Sequence, residues 1–428
     1  MSSRLYLVSP PTESTSPSVA EEDAPGAAAN EGSMPDGTTP GRSLCIVASI
    51  RNLAQIESAY GSATALTVRH VVRERARTFC TRESGIMTRS GEQIVILIDR
   101  AVPEDVANAH AVRSDHTIVD ELVAALGDEA VFTAMGPIRA AVGASIPTCD
   151  GTPFDPEKEG SAAMRMGTSR WRTGYALDME IAGELLGAME RDELCFRYEK
   201  VCSTTDTQSV SYWEALLCRT RNGIPVSVGK WIPVLERLGL VSRLDRWVVT
   251  TVIDTLRAHP GMSLGCNVSV QSAAPGGWWS TVIETLAREP QVAARLVIEL
   301  TETAPLTDIE PVKDLVRVLQ QLGCRVALDD VGAGYSSVRG LMDLDVDFAK
   351  VDGGYLHQAR SNGCAKVHLG ALIRLARTCA SHVVVERVEN EEDLALSQAC
   401  GAHWVQGYLF EPVFVASLAQ SASGPERD

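Results

Sequence analysis

The stretch CRVALDD, residues 324–330, is an apolar run that ends in two adjacent carboxylates. The same pattern recurs on both sides of it, where RLVIE ends in Glu299, DFAK ends in Lys350 and HVVVE ends in Glu386. Short apolar runs bounded by polar residues are typical of strands that are buried on both faces of a parallel sheet. The polar residues therefore mark one end of each predicted strand.

Working outward, the C-terminal part of the chain alternates strand-like runs with amphipathic helical runs. The eight predicted strands are LCFRYEKV, VSYWEALLCR, MSLGCNVSV, RLVIELTE, CRVALDD, DFAKVD, HVVVERVE and AHWVQGYLF. Strand–helix units repeated over about 245 residues fit an α/β fold of the TIM-type (β/α)8 barrel class, whose active site lies at the carboxyl ends of the strands. The sequence leaves open whether the first strands keep strict parallel order.

In front of this barrel the sequence predicts a tail and a smaller α/β domain. The tail is rich in Ser, Pro, Gly, Ala and acidic side chains, which cannot bury enough apolar surface to offset chain entropy. After it, LCIVASI and IVILID predict strands, while NLAQIESAY and residues 64–79 predict helices. We expect a disordered tail at 1–43, the small domain at 44–170 and the barrel at 177–420.

Charge and cysteine usage exclude several classes of protein. The formal net charge of −16 repels a nucleic-acid backbone, so no polymeric nucleic acid is expected as a partner. No apolar run approaches the roughly 18 residues of a membrane helix, and the N-terminus lacks the pattern of an export signal. The eleven cysteines show no zinc spacing. These features favour reduced thiols in a cytoplasmic protein.

The polar residues at the predicted strand ends provide one amine and several oxygen ligands, and such oxygen ligands suit hard divalent cations. They are Glu214, Asn267, Glu299, Asp329, Asp330, Lys350 and Glu386. Carboxylates that meet at one rim raise each other's pKa unless a cation neutralises them, and oxygen ligands without His or Cys favour Mg²⁺ or Mn²⁺. With this many ligands, two ions about 3.5–4 Å apart are favoured over one, as in phosphodiester hydrolysis. An enolase-like use of Mg²⁺ is the alternative, and the tandem aspartates argue against it.

The segments around these residues resemble the EAL family of cyclic di-GMP phosphodiesterases. Glu214-Ala215-Leu216 is the motif that names the family. The segments CNVSVQS, IELTET, DDVGAGYSS, DFAKVD, VVERVENEEDL and VQGYLF resemble its other motifs in the family's order, over about residues 177–415. The resemblance implies a cyclic-guanylate-specific phosphodiesterase that hydrolyses cyclic di-GMP to linear pGpG with two Mg²⁺ or Mn²⁺ ions.

The resemblance also implies roles for individual residues. The implied ligands of one ion are Glu214, Asn267, Glu299 and Asp329, and those of the other are Asp329, Asp330 and Glu386. Glu214 and Glu386 are also counted with the catalytic residues, together with Lys350, which would assist the attacking water. Glu302 would steady the loop after the aspartates, whose glycines Gly332 and Gly334 let it bend. The implied substrate contacts are Leu216, Gln406, Arg219 and Glu389.

Three positions depart from the family pattern. Cys218 stands where the family has an arginine that contacts the ligand, and Arg219 should point to the opposite face of a regular strand. Tyr198-Glu199-Lys200 replaces Tyr-Gln-Pro, and Glu386-Arg387-Val388-Glu389 replaces Glu-Gly-Val-Glu. These departures keep a second function open, that of a non-catalytic receptor which binds cyclic di-GMP and signals to a partner protein.

The smaller domain resembles the GGDEF domain of second-messenger synthases. NLAQIESAYGSATALTVRHVVRERARTF carries this resemblance, and the signature position reads Ser90-Gly91-Glu92-Gln93-Ile94. The two aspartate positions are Ser49 and Arg51, so the metal clamp that joins two GTP molecules is missing. The resemblance implies a degenerate, inactive and regulatory GGDEF domain, and it leaves a homodimer and a protein partner of this domain as expectations.

Overall fold

The computed structural model describes residues 42–100, 113–147, 167–221, 223–301, 309–333 and 338–414. All of them belong to one compact unit of the chain. Nearly the whole of the predicted tail, 1–41, lies outside the described residues, and so do Glu302 and Gly334.

The N-terminal domain is a four-stranded antiparallel sheet with helices packed against it. Its elements are β1 (Arg42–Ile50), α1 (Leu53–Tyr60), α2 (Ser62–Arg82), β2 (Gly85–Ser90), β3 (Gln93–Arg100), α3 (Asp115–Gly127), β4 (Val131–Thr133), β5 (Gly136–Ile138) and β6 (Val142–Ser145). The strand order is β2-β3-β1-β6, with β4 and β5 forming a separate hairpin. Alternate residues of β1, such as Ile46 and Ala48, are buried in one core with Val68 and Val72 of α2. The two periodicities read from the sequence therefore produce this core.

The C-terminal domain contains the remaining strands and helices. The strands are β7 (Leu194–Ser203), β8 (Val210–Arg221), β9 (Ile224–Ser227), β10 (Leu264–Ser269), β11 (Leu296–Thr301), β12 (Arg325–Val331), β13 (Phe348–Val351), β14 (His382–Val385), β15 (Trp404–Val405) and β16 (Val413–Phe414). The helices are α4 (Ser169–Glu190), α5 (Ile232–Leu238), α6 (Val241–Ala258), α7 (Trp278–Arg288), α8 (Pro290–Ala293), α9 (Glu310–Gln321), α10 (Val338–Asp343), α11 (Gly353–Ala359), α12 (Gly363–Cys379) and α13 (Glu391–Ala399). Within the described ranges, no helix has both the length and the apolarity to cross a bilayer.

Eight of these strands close into a barrel. Strands β8 and β10 to β15 pair in parallel, and β7 closes the ring by pairing with both β8 and β15. Strand β7 is antiparallel to both neighbours, so its amino end lies at the same rim as the carboxyl ends of the others. The predicted fold class, a TIM-type barrel preceded by a smaller α/β domain, is confirmed, and the first strand is the one that departs from parallel order.

The barrel interior is filled by an apolar layer directly beneath the rim. This layer comprises Val201, Tyr212, Val297, Ala327, Phe348 and Val384. Five of its members lie two positions before a predicted site residue on the same strand. Because side chains of a strand alternate between faces, the apolar residue and the polar residue both point into the barrel, one above the other. The layer thus forms a dry floor for whatever the rim binds.

Two buried carboxyl groups hold the end of β10 from outside the barrel. The backbone N–H of Ser269 donates to Asp245 Oδ2 at 3.2 Å, and its hydroxyl donates to Glu236 Oε1 at 2.7 Å. Burial raises the pKa of Asp245 to about 7, the hydrogen bond from Ser269 offsets only part of this effect, and the nearby Glu236 adds to it. Ser269 follows Asn267 by two residues, so these contacts fix the strand end that carries a predicted ligand.

The raised pKa of Asp245 predicts a pH-dependent cost to stability. The unfolded carboxyl ionises near pH 4 while the folded one stays protonated to about pH 7, so the free energy of unfolding falls across that window. Asp245→Asn removes this loss, and its stability relative to wild type should rise by on the order of 2–4 kcal/mol between about pH 4 and pH 8. Urea unfolding at several pH values measures the difference. The same substitution at exposed Asp254 on α6 is the control and should shift by less than about 0.5 kcal/mol; a flat difference for Asp245→Asn would contradict the assignment.

Candidate metal centre

The ammonium group of Lys350 is the centre of a buried cluster of carboxylates. The residue is fully buried. Its Nζ donates to Glu214 Oε2 at 2.9 Å and to Glu299 Oε2 at 2.5 Å. It also lies 3.0 Å from Asp329 Oδ1 and 3.0 Å from Glu386 Oε1. Five strands of the barrel therefore bring one cation and four anions to a single point.

Strand register and one glycine make this convergence sterically possible. In the pairing of β10 with β11, Asn267 lies directly beside Glu299, and in the pairing of β8 with β10, Glu214 lies beside Gly265. A Cβ atom at Gly265 would collide with the Glu299 carboxylate and would lie 2.6 Å from the ring of Tyr212. The absence of a side chain at this position therefore leaves the space that the Glu299 carboxylate uses.

Two side-chain amides complete the surroundings of Glu214. Asn267 Nδ2 donates to Glu214 Oε1 at 2.6 Å, and Gln406 Nε2 donates to Glu214 Oε2 at 2.6 Å. The same Gln406 nitrogen is 3.5 Å from Glu199 Oε2. Both oxygens of Glu214 are thus oriented by neighbours, which fixes the direction of the carboxylate.

The charges of the cluster do not balance without further positive charge. Burial raises the pKa of Glu299 well above its usual range, and the nearby Glu214 raises it further. Burial likewise raises the pKa of Glu386, with Asp329 adding to the shift. Burial alone would lower the pKa of Lys350, but the surrounding carboxylates, Asp329 and Glu214 foremost, outweigh it and keep the pKa well above its usual value. One ammonium balances one carboxylate, so protons or bound cations must balance the rest.

A second acidic group adjoins the first. One carboxylate oxygen each from Asp330, Asp352 and Glu386 lies within 4.8 Å of the others. Burial raises the pKa of Asp330 to about 6, and the charges of Asp329 and Asp352 contribute. Asp352 is absent from the ligands inferred from the sequence. The signal for it was present, because it follows Lys350 by two positions and alternation places both on one face.

Two buried oxygen atoms favour a bound cation over a network of protein hydrogen bonds alone. Asn267 Oδ1 and Glu299 Oε1 are buried, and neither has a hydrogen-bond partner among the described residues. A buried oxygen without a donor costs free energy that a cation would recover. Together with the acidic trio, the donor set consists of carboxylate and amide oxygens, so the residues present fit Mg²⁺ or Mn²⁺.

Arg219 lies on the outer face of the barrel, as the alternation of a regular strand predicts. Its guanidinium pairs with Glu184 at 2.6 Å and with Glu193 at 2.8 Å. Residue 219 is an odd number of positions from Glu214, so the alternation of β8 directs it to the outer face of the barrel. The structure does not bring this predicted substrate contact to the mouth.

The other predicted substrate contacts are divided. Leu216 is half-buried and follows Glu214 by two positions, so it faces the mouth, where Gln406 also lies. Glu389 instead pairs with Arg360 at 2.8 Å, apart from the buried cluster. Glu302 lies outside the described residues, so its role stays a prediction.

Comparison with known proteins agrees with this geometry. The family model described as EAL domain matches residues 182–412. The chain belongs to the EAL domain family. The matched range contains each strand that contributes to the buried cluster, and the EAL motif itself is Glu214-Ala215-Leu216 on β8.

Relatives of this EAL domain protein include two that are named as cyclic di-GMP phosphodiesterases. It is 31% identical over 203 residues to the cyclic di-GMP phosphodiesterase PdeF of Escherichia coli, which covers 46% of this chain and 27% of the relative. It is 24% identical over 377 residues to the bifunctional diguanylate cyclase/cyclic di-GMP phosphodiesterase MucR of Pseudomonas aeruginosa, covering 83% of this chain and 53% of that protein. The chain thus spans about half or less of the length of these two relatives.

Solved structures share the fold. The solved structure of the PaMucR phosphodiesterase in complex with c-di-GMP matches with a TM-score of 0.50 at 24% identity, covering 56% of this chain and 99% of that one. An EAL domain protein from Listeria monocytogenes matches with the same TM-score at 20% identity, covering 56% of this chain and 96% of that one. At these identities the likeness concerns the fold.

Removal of the Lys350 ammonium group should lower the stability of the protein, because the carboxylates around it would then repel each other. Lys350→Met leaves four acidic groups at one buried point, and in EDTA we expect the free energy of unfolding to fall by about 3–5 kcal/mol. Mn²⁺ should restore part of the loss, because a divalent cation supplies the missing charge. Urea unfolding with EDTA and with Mn²⁺ measures both effects. Lys313→Met, on the outer helix α9, is the control; equal stability of the two variants in EDTA would refute this account of the cluster.

Proposed function

We propose that the protein is a metal-dependent phosphodiesterase that hydrolyses cyclic di-GMP to linear pGpG. The observation that carries the proposal is the buried convergence of Glu214, Glu299, Asp329 and Glu386 on Lys350 at the mouth of the barrel. A receptor needs no such concentration of acidic groups, which costs stability unless cations are bound. Cyclic di-GMP is proposed as the substrate because the relatives are named for it, and hydrolysis is proposed because of the geometry of the acidic cluster.

The side chains divide the chemical work. The first cation would be held by Glu214, Asn267, Glu299 and Asp329, and the second by Asp330 and Glu386, with Asp329 shared and Asp352 adjoining. When bound, such ions lower the pKa of a water molecule and neutralise charge on a phosphodiester. Lys350 donates hydrogen bonds to Glu214 and Glu299, two of the proposed ligands of the first cation. Its ammonium would therefore orient that water and stabilise negative charge in the transition state. The apolar floor beneath the rim excludes bulk solvent from these groups.

A guanidinium on β7 offers an anion contact at the mouth. Register pairs Arg197 with Leu216 and Glu199 with Glu214, so all four side chains share the inner face. Arg197 Nη2 donates to Glu199 Oε1 at 2.6 Å, whereas its buried Nε has no hydrogen-bond partner in the described part of the chain. We propose that Arg197 binds a substrate phosphate in place of the family arginine at Cys218.

A receptor that binds cyclic di-GMP without cleavage is the second candidate. Its support is the loss of the ligand-contacting arginine at Cys218, which is buried, and the carboxylate of Glu199 where the family has an amide. Neither change removes a group that would hold a metal. Binding of cyclic di-GMP without product by the wild-type protein would favour this candidate.

The N-terminal domain is proposed to be a GGDEF-like domain without synthase activity. The signature position falls in the hairpin between β2 and β3, where Glu92 is paired with Arg69 at 3.1 Å. At the aspartate positions, Ser49 is a buried hydroxyl one residue before the end of β1, and the Arg51 guanidinium occupies the space beside Gly143. None of these groups forms an acidic clamp for a nucleotide-bound metal.

The setting of the protein is proposed to be cytoplasmic. Every cysteine in the described ranges is a free thiol, as expected for a reducing compartment. A homodimer and a protein partner of the N-terminal domain are proposals that rest on the family resemblance.

Glu214→Gln should abolish hydrolysis while preserving the fold. The change keeps the shape of the side chain but removes the charge that Lys350 and a cation need, so product formation should fall at least about 100-fold. The assay follows pGpG by chromatography after incubation of the full chain with cyclic di-GMP and Mn²⁺. Glu284→Gln on α7 is the matched control, since it changes the same residue type in an exposed helix pair. Full activity of Glu214→Gln would refute the proposed mechanism.

Arg197→Met should weaken substrate binding more than turnover. A guanidinium that contacts phosphate in both the ground state and the transition state affects KM, so KM should rise about tenfold or more with kcat changed less than about threefold. Adding Cys218→Arg to this variant should restore a low KM, because it returns a guanidinium to the same face of β8. Arg221→Met, on the outer face with Glu184, is the control. An unchanged KM in Arg197→Met would exclude the contact.

A further inference from the structure

The residue after Glu386 has an unusual backbone conformation for its type. Arg387 has φ 55°, in the left-handed region that favours glycine. Its neighbours hold the chain there, since the N–H of Glu386 donates to the carbonyl of Val351 at 3.1 Å and the N–H of Val388 donates to that of Gln406 at 3.0 Å. An arginine held in a strained conformation beside a predicted ligand suggests a use for its side chain.

The guanidinium of Arg387 extends into the second acidic group. Its Nη2 lies 3.0 Å from Asp352 Oδ2 and 3.9 Å from Asp330 Oδ1. Gly353 leaves room for this path, because a Cβ atom there would lie 2.5 Å from Arg387 Cβ. Two of the three carboxylates of the trio therefore face a positive charge that belongs to the protein.

Asp352 has both of its carboxylate oxygens engaged. Oδ1 accepts the N–H of Gly354 at 3.0 Å and caps α11, while Oδ2 pairs with Arg387. A divalent cation held by Asp330, Asp352 and Glu386 would have to share Oδ2 with the guanidinium or displace it. The side chain of Arg387 is 55% exposed, so it can move out into solvent. The positive charge would repel a cation while it stays in place.

We propose that Arg387 is a built-in competitor for the second divalent cation, which lowers the affinity of the trio Asp330, Asp352 and Glu386 for Mg²⁺ or Mn²⁺. The ion pairs of Arg387 are with Asp352 and Asp330, which belong to the second group, so the first group, around Lys350, keeps its affinity. The inference rests on the proposed metal-dependent function for the identity of the ligand, but its measurement does not require hydrolysis.

Titration of the full chain with Mn²⁺ tests the proposal, with free Mn²⁺ counted by electron paramagnetic resonance. Arg387→Gly and Arg387→Ala both remove the guanidinium, whereas only glycine relieves the left-handed backbone. Both should bind the weaker Mn²⁺ at least ~10-fold more tightly than wild type, with the tighter Mn²⁺ unchanged within about twofold. Arg317→Ala removes the same charge from an exposed pair on α9 and is the matched control. A thermal melt confirms that each variant is folded.

Three results would overturn the proposal. Unchanged Mn²⁺ affinity in both variants would mean that Arg387 has only a structural role, as an ion pair that links its loop to the start of α11. Tighter binding in Arg387→Gly alone would assign the effect to the backbone. Unchanged Mn²⁺ affinity with a raised KM for cyclic di-GMP would make Arg387 a substrate contact. Tighter Mn²⁺ binding in both variants upholds the proposal, even if wild type forms no pGpG, a result that would refute only the hydrolase function.

Discussion

The contact between the Lys350 ammonium and four carboxylates is the constraint on which the C-terminal domain depends. Each partner comes from a different strand, and every one of those strands also supplies an apolar residue to the layer beneath. A small change in register of any strand would separate a charge from the cluster and, two positions away, open a gap in the floor. Chemistry and packing are therefore specified by the same alternation, and neither can be altered without the other.

Much of this arrangement could be predicted from the sequence, because a polar residue that terminates an apolar run is visible without coordinates. The barrel, its eight strands and the meeting of Glu214, Glu299 and Asp329 follow from that pattern, and alternation alone separates Arg219 from them. The contributions of Asp352 and Arg387 to the second acidic group were harder to predict from the sequence. Asp352 lies one residue beyond the end of β13, and the reach of Arg387 depends on a left-handed backbone and on a glycine in another element. Such details are set by tertiary packing, which a local pattern does not encode.

The departures from the family pattern redistribute positive charge around an acidic mouth. A cation is absent at Cys218, one is present at Arg197 on the neighbouring strand β7, and another is present at Arg387, two residues after the end of β14. Guanidinium groups bind carboxylates and phosphates with similar geometry, so each can exchange an internal partner for a ligand oxygen. The mouth is therefore neutralised partly by the chain itself.

The pairing of the first strand of the barrel with the last one has a consequence for how the chain folds. Strand β7 is held on one side by its hairpin neighbour but on the other by residues near the C-terminal end of the described chain, with Thr204 donating to the carbonyl of Ala402 across 198 positions. During synthesis the ring cannot close until those last strands have left the ribosome. Until then, one edge of β7 and the interior layer stay exposed, which favours slow folding and a need for protection against aggregation.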